Sequence, residues 1–491
     1  MKKNLASSSL WSISAALFNN LSTMVVFIAL ARLLNPTEFG IVAFATVFID
    51  ISRIVVLGGI PDALIQREEW DDDVATTAFW TNLGLGVLLS VALAAIAAPL
   101  VGNGYGRTFA LVLAALSLVL IIEGASAVHV AKLRREFRHK MIAKRSMTTN
   151  IVSGVLGVAF AYMGWGVWAL VVSRLIGVTG SSIILWRATD FRPRLQYSMD
   201  HLRSFARFSS HILGSQLMIQ AGAQVPAMLV GGFLGPAAIA QYRVGWRSLN
   251  LIISVVILPI QTAAVSAFSR LSHDRAALAG GYLRVTRTCA LVSCPAFFGL
   301  AAVAPDFVPV LFGPQWTEAS WVLVALSLIV GPTTLGYFEG SSIAASGRSD
   351  LTFYASLFAS IGNIAAAAAA VTFGPVAVAA AMTLRAHLTT PFSLRLVERA
   401  IGVRPVQAIL GILPPYLAAM GMAIGVTALR WLVLPEATPL LRLAICLPLG
   451  GILYLGLLLL FGRKFIRTAR EELAPLAPRP LRKFLRPAPR D

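Results

Sequence analysis

Residues 209–264 read SSHILGSQLMIQAGAQVPAMLVGGFLGPAAIAQYRVGWRSLNLIISVVILPIQTAA. Two apolar runs, 209–234 and 238–264, are divided only by Gly235-Pro236-Ala237. A helix rises about 1.5 Å per residue, so either run is long enough to cross a hydrocarbon core about 30 Å thick. Gly and Pro end one helix and begin the next, so the stretch reads as a tight helical hairpin. The pattern recurs at 147–163 and 167–187, divided only by Gly164-Trp165-Gly166. Strands of a membrane barrel would alternate apolar and polar side chains instead.

Working outward, apolar runs of spanning length fall at 10–33, 39–61, 78–101, 108–128, 147–163, 167–187, 209–234, 238–264, 286–304, 318–338, 351–372, 375–394, 408–432 and 440–461. Composition agrees. Of 491 residues 57% are apolar, enough for about 14 spans at about 20 residues each. Charged residues make up 13%, against about 25% in soluble domains. A soluble enzyme, a disordered chain and a disulfide scaffold are excluded. The run from Leu10 to Leu33 is too long for a signal-peptide core and has no small-residue cleavage site, so it reads as a permanent first span. Cys289, Cys294 and Cys446 form no CxxC or Cys/His pattern, so neither metal nor cofactor is expected. Asp71-Asp72-Asp73, after Glu68 and Glu69, reads as a solvated charge patch.

The net charge of +19 is a matter of topology and not of nucleic acid, for which no module is present. With fourteen spans, 32 Lys and Arg residues fall on the side of the N-terminus and in the tail, among them the run from Lys132 to Arg145. Only Arg32, Arg107, Arg430 and Arg442 fall on the other side. This asymmetry places both termini in the cytoplasm.

Leu34-Asn35-Pro36 and Leu234-Gly235-Pro236 each open a second helix after an abrupt turn. Gly166-Val167 and Gly374-Pro375-Val376 repeat the relation further on. The chain therefore reads as an all-α integral membrane protein. Two six-helix lobes, 1–195 and 196–400, are related by a parallel pseudo-two-fold repeat. An extra helix pair follows at 401–462, then a basic, Pro-rich cytoplasmic tail at 463–491.

A charge at the bilayer centre costs about 2.5–3.5 kcal/mol, so each intramembrane charge needs a partner, a wet cavity or a role. Arg53, Arg174, Arg243, Arg247 and Arg385 fall within spans, against Asp50, Glu123 and Glu339. Asp50 and Arg53 share a helix face, which allows a self-neutralising pair or a substrate contact tuned by Asp50. Arg243 and Arg247 share a face with Asn250, where two like charges invite an anion, although Arg243 could also snorkel. Gln216, Gln220 and Gln224 form a polar stripe suited to lining a cavity or bonding between helices. Asn19 and Asn20 add polarity to the first span. Excess positive charge among sugar-compatible side chains suits a large anionic substrate.

The chain resembles the polysaccharide transport branch of the multidrug/oligosaccharidyl-lipid/polysaccharide exporter superfamily, the Wzx-like flippases of lipid-linked oligosaccharides. The resemblance lies in Ala31-Arg32-Leu33-Leu34-Asn35-Pro36-Thr37-Glu38-Phe39-Gly40, in Leu133-Arg134-Arg135-Glu136-Phe137-Arg138, and in Gly164-Trp165-Gly166-Val167-Trp168-Ala169-Leu170. It extends to Phe312-Gly313-Pro314-Gln315-Trp316 and the basic stretch from Ser269 to Arg287. It covers about residues 1–400. It implies two lobes around a V-shaped cavity that opens alternately to either side. The implied substrate is an undecaprenyl-diphosphate-linked glycan crossing the bacterial inner membrane, in contact with membrane lipids and passed to a polymerase or copolymerase. Arg53 and Arg247 best fit the cavity arginines of related flippases; the resemblance places no coupling acid, and Asp50 and Glu123 are the intramembrane acids expected to couple or tune. A drug or toxin antiporter of the same superfamily would prefer cavity carboxylates. A membrane polymerase or glycosyltransferase would show a large external loop or clustered acids.

Overall fold

The computed structural model describes residues 19–97, 99, 106–462, 465 and 467. Residues 10–18 of the first span and nearly all of the basic tail lie outside the described residues. The chain is helical throughout, with no strand among the described residues. α1 covers Asn19–Leu33. There follow α2 (Pro36–Leu57), α3 (Ile60–Gln66), α4 (Asp72–Ala92), α5 (Arg107–Gly124), α6 (Ala127–Arg135), α7 (His139–Tyr162), α8 (Val167–Ala188) and α9 (Met199–Leu234). α10 (Pro236–Ile252), α11 (Leu258–Arg270), α12 (Arg275–Phe312), α13 (Thr317–Ser327) and α14 (Val330–Ala345) come next. α15 (Ser349–Ala370), α16 (Pro375–Ile401), α17 (Pro405–Ala428) and α18 (Pro439–Phe461) complete the order.

Among the described residues, a helix falls in each of the fourteen apolar runs, but length and apolarity alone qualify ten as spans, or eleven if α13 and α14, bent by 60°, are one. α1 is described over too short a stretch. α7 and α16 are long enough but too polar: α7 opens with Lys140, Lys144 and Arg145, and α16 carries Arg385 and His387. Among the described residues, the sequence count of fourteen and the structural count of ten or eleven differ on α1, on the polar helices α7 and α16, and on the bent α13–α14 pair.

Two compact units emerge from packing. The first is Met1–Arg243 with Asn363–Pro375, and the second is Val244–Gly362 with Val376–Asp491.

In the first unit the Asn35–Gly40 motif has a physical reading. Pro36 starts α2 where a missing N–H costs nothing. The Asn35 side chain accepts from the Glu38 N–H at 2.8 Å, and Glu38 accepts from the Asn35 N–H at 3.1 Å, closing a capping box. Phe39 sets its ring edge against Phe27 at 5.4 Å. Gly40 has no room for a side chain: a Cβ there would overlap the Pro236 carbonyl group. The α4–α5 pair uses the same device, with Gly86 against the Leu120 backbone and Gly124 against the Asn82 backbone. Lipid tails are as apolar as leucine, so close backbone approach and hydrogen bonds hold such helices together. Ser90 and Ser117 add one across this pair at 2.9 Å.

The acidic run at 71–73 serves the start of α4. Asp71 caps it by accepting from the Asp73 N–H at 2.8 Å. Asp72 accepts from the Trp70 indole at 2.8 Å, and Asp73 pairs with Arg194 at 3.3 Å. Negative charge is favoured at a helix N-terminus.

His129 is buried beyond the end of α5, with its ring 4.5 Å from Trp186 and 5.5 Å from Phe191. Its Nδ1 lies 2.6 Å from the Thr189 hydroxyl. Burial, reinforced by Arg192 and Lys132, holds its pKa down at about 4, so it is neutral at physiological pH. Its unfolded-state pKa is near 6.5, so acid favours the unfolded chain. Stability is expected to fall as pH drops from about 6.5 to about 4, by about 3 kcal/mol from this residue. Unfolding midpoints of wild type and His129→Gln in detergent check this. The gap between them should narrow toward pH 4, and a pH-independent gap would contradict it.

The second unit is organised around α12, a 38-residue helix that packs on α13, α14, α17 and α18. Tyr282, Phe297, Cys289 and Cys294 are fully buried on it. Ser293 and Thr334 share a buried hydrogen bond of 2.8 Å, and the Tyr454 hydroxyl donates to the Leu291 carbonyl at 3.0 Å. Asp306, four per cent exposed, holds two guanidiniums: Arg430 Nε at 2.6 Å and Arg442 Nη1 at 3.3 Å.

Candidate functional site

The first unit encloses a cavity of about 630 Å³, within the usual range for small-ligand sites of about 300–1,000 Å³. Its walls come from α1, α2, α3, α5, α6, α7, α8 and α9. Four guanidiniums line it: Arg53, Arg134, Arg145 and Arg174. Two carboxylates, Asp62 and Glu123, stand against them. α7 supplies Ser146, Thr149, Asn150 and Ser153 to the same wall. Their spacing of three, four and seven puts them on one helix face.

Arg53 and Glu123 face each other across α2 and α5, with Arg53 Nε 2.6 Å from Glu123 Oε2. The Arg53 side chain remains 44% exposed, so the pair stands in the cavity wall and not in the packed core. The sequence sets Arg53 beside Asp50, one turn away on its own helix. The partner that folding brings to it is Glu123.

A smaller compartment of about 300 Å³ adjoins the first, and Arg53 and Gln216 line both. Its walls are Asp50, Arg53, Ile54 and Leu57 from α2, with Gln216, Gln220 and Gln224 from α9. The glutamine stripe thus faces the polar face of α2. Arg243 Nη2 donates to the Gln224 carbonyl at 2.9 Å, so Arg243 stays with this unit.

Of the residues singled out in the sequence, Arg53, Arg174, Glu123 and Gln216 line the larger cavity, and Asp50, Gln220 and Gln224 the smaller. Asn19 accepts from Asn150 at 2.9 Å and so supports the wall from behind. Asn20 lies on α1 and is not among the lining residues. Arg247 is exposed one turn beyond Arg243, in the stretch of α10 that belongs to the second unit, and does not line this cavity. Arg134, Arg145 and Asp62 join the site only in the folded chain. In the sequence the two arginines read as loop charges, and the signal that betrays them is the Ser146/Thr149/Asn150/Ser153 face that follows Arg145.

A multi-pass helical membrane protein with a charged, water-accessible cavity inside the bundle has the build of a transporter. Its fold is that of the solved lipid II flippase MurJ in an inward closed conformation, with a TM-score of 0.75 over 93% of this chain and 99% of that one at 16% identity. The chain belongs to the polysaccharide biosynthesis protein family, whose defining pattern matches residues 29–321. Among relatives, the teichuronic acid biosynthesis protein TuaB of Bacillus subtilis is 26% identical over 356 residues, covering 72% of this chain and 73% of TuaB. The succinoglycan biosynthesis transport protein ExoT of Rhizobium meliloti is 27% identical over 309 residues, covering 62% of each chain.

Proposed function

We propose that this protein flips a polyprenyl-diphosphate-linked oligosaccharide across the bacterial inner membrane by alternating access, for exopolysaccharide, capsule or O-antigen synthesis. The observation that carries the reading is the charge of the cavity. Four guanidiniums against two carboxylates leave an excess of two positive charges. A diphosphate esterified at both ends carries one negative charge on each phosphate and matches that excess. Guanidiniums also grip phosphate oxygens in a bidentate geometry that an ammonium does not reproduce. Family membership and the relatives' roles in polysaccharide biosynthesis and transport support the same reading. A cationic drug would meet like charge in this cavity.

In the proposed cycle Arg53 rests on Glu123 while the cavity is empty. The incoming diphosphate takes Arg53 over and leaves the Glu123 carboxylate free to accept a cation or proton. Orientation with both termini in the cytoplasm puts the basic loops on the side where the lipid-linked glycan is made, and the flipped product passes to a polymerase or copolymerase outside.

Arg53→Ala and Arg174→Ala are expected to cut polymer export at least tenfold in a strain that depends on this chain, with protein levels unchanged. Each lost charge-assisted contact is worth about 1.5–3 kcal/mol. The Lys variants should recover part of the export. Wild-type export from the double Ala variant would refute the assignment.

A further inference from the structure

The smaller compartment differs in chemistry from the cavity it adjoins. Beside Arg53 at the boundary it holds three carboxamides, one carboxylate and the apolar side chains of Ile54 and Leu57. Among the described residues, neither Gln216 nor Gln220 has a hydrogen-bond partner for its side chain. Carboxamides donate and accept at once without charge, which matches hydroxyl groups and not phosphate oxygens. Ile54 and Leu57 supply the apolar contact that the C–H face of a sugar ring needs. At about 300 Å³ the compartment sits at the low end for ligand sites, fitting one ring and not an oligosaccharide.

We infer that this compartment is a subsite for the sugar joined directly to the diphosphate, and that Gln220 and Asp50 select a neutral hexose there. The inference rests on the flippase reading of the adjoining cavity. Arg53 lines both compartments, so a diphosphate held by it places its ester-linked sugar next door without a further turn of the chain. Asp50 accepts from a hydroxyl but repels a carboxylate, so a uronic acid in this position is disfavoured. Gln224 is oriented by Arg243, which takes up its carbonyl and leaves its amide to donate.

The test uses purified full-length protein and three farnesyl diphosphate diesters of equal charge on phosphorus, capped with methyl, glucosyl or glucuronosyl. Wild type should bind the glucosyl probe about tenfold tighter than the methyl probe, as expected for one or two net hydrogen bonds, and should bind the glucuronosyl probe more weakly than the glucosyl one. Gln220→Ala should erase the glucosyl advantage and leave methyl-probe affinity as it was. Asp50→Asn should erase discrimination against the glucuronosyl probe. Equal binding of all three by wild type, or a Gln220→Ala loss equal for methyl and glucosyl probes, overturns the subsite. If wild type binds none of the three, while thermal unfolding shows it folded, the flippase reading fails and the subsite with it.

Discussion

Asp306→Ala is expected to destabilise the second unit by about 3–5 kcal/mol, the cost of removing one partner from a buried ion pair. The cause is the charge left behind. Arg430 is 6% exposed, and its Nε lies 2.6 Å from Asp306 Oδ2. Its Nη1 also donates to the Ala302 carbonyl at 2.5 Å, so the guanidinium cannot swing out to water when the carboxylate goes. Arg442 should suffer less, because it also donates to the carbonyls of Leu434 at 2.8 Å and of Pro435. Pairing Asp306→Leu with Arg430→Met removes both charges and should restore most of the loss. Cys446 is 1% exposed, so its reaction with a thiol-specific dye during heating reports the opening of this region. Equal midpoints for wild type and Asp306→Ala would show that the cluster does not hold these helices.

Gly40→Leu is expected to prevent stable insertion of the first unit altogether. Even a methyl group at this position would overlap the Pro236 carbonyl and lie 2.9 Å from the Pro236 Cα. The obstacle is backbone, not the end of a flexible side chain, so α2 and the start of α10 would have to part. Protein interiors are packed like crystals and absorb such shifts poorly. Overpacking by a few atoms costs about 1–3 kcal/mol, occasionally more, and a whole isobutyl group exceeds that range. Gly84, on α4, has open space for at least 4 Å around the point where a Cβ would stand, so Gly84→Leu serves as the matched control. Detergent-extractable, monodisperse Gly40→Leu protein at the control's level would contradict the close approach.

The helical order is legible from hydropathy because a bilayer forces every spanning segment to satisfy its own backbone. Turns at Gly235 and Gly166 are legible too, since both adopt positive φ, +89° and +54°, where a side chain is strained. Half of the candidate site can be read because Arg53, Arg174, Glu123 and the glutamine stripe sit in apolar runs, where a polar residue stands out. Arg134 and Arg145 fall between such runs, where the same side chains also serve topology, and only the polar face that follows Arg145 on α7 hints at the second role. The Arg53–Glu123 pair joins positions 70 residues apart on different helices. A helix face shows i, i+3 and i, i+4 neighbours, so Asp50 is visible as a partner and Glu123 is not. The Asp306 cluster is hidden for the same reason: Arg430 and Arg442 read as loop charges, and the acid that gathers them lies more than 120 residues earlier.

The proposed function requires transbilayer movement of a diphosphate-linked sugar lipid, and reconstitution measures that movement directly. Purified protein is placed in liposomes carrying a fluorescent short-chain polyprenyl-diphosphate-glucose in both leaflets, and a membrane-impermeant quencher is added outside. Wild-type protein should render the inner-leaflet lipid quenchable, while Arg53→Ala/Arg174→Ala protein should leave it protected as in empty liposomes. Protection of the inner-leaflet lipid by folded wild-type protein, or equal movement by the double variant, would contradict the claim.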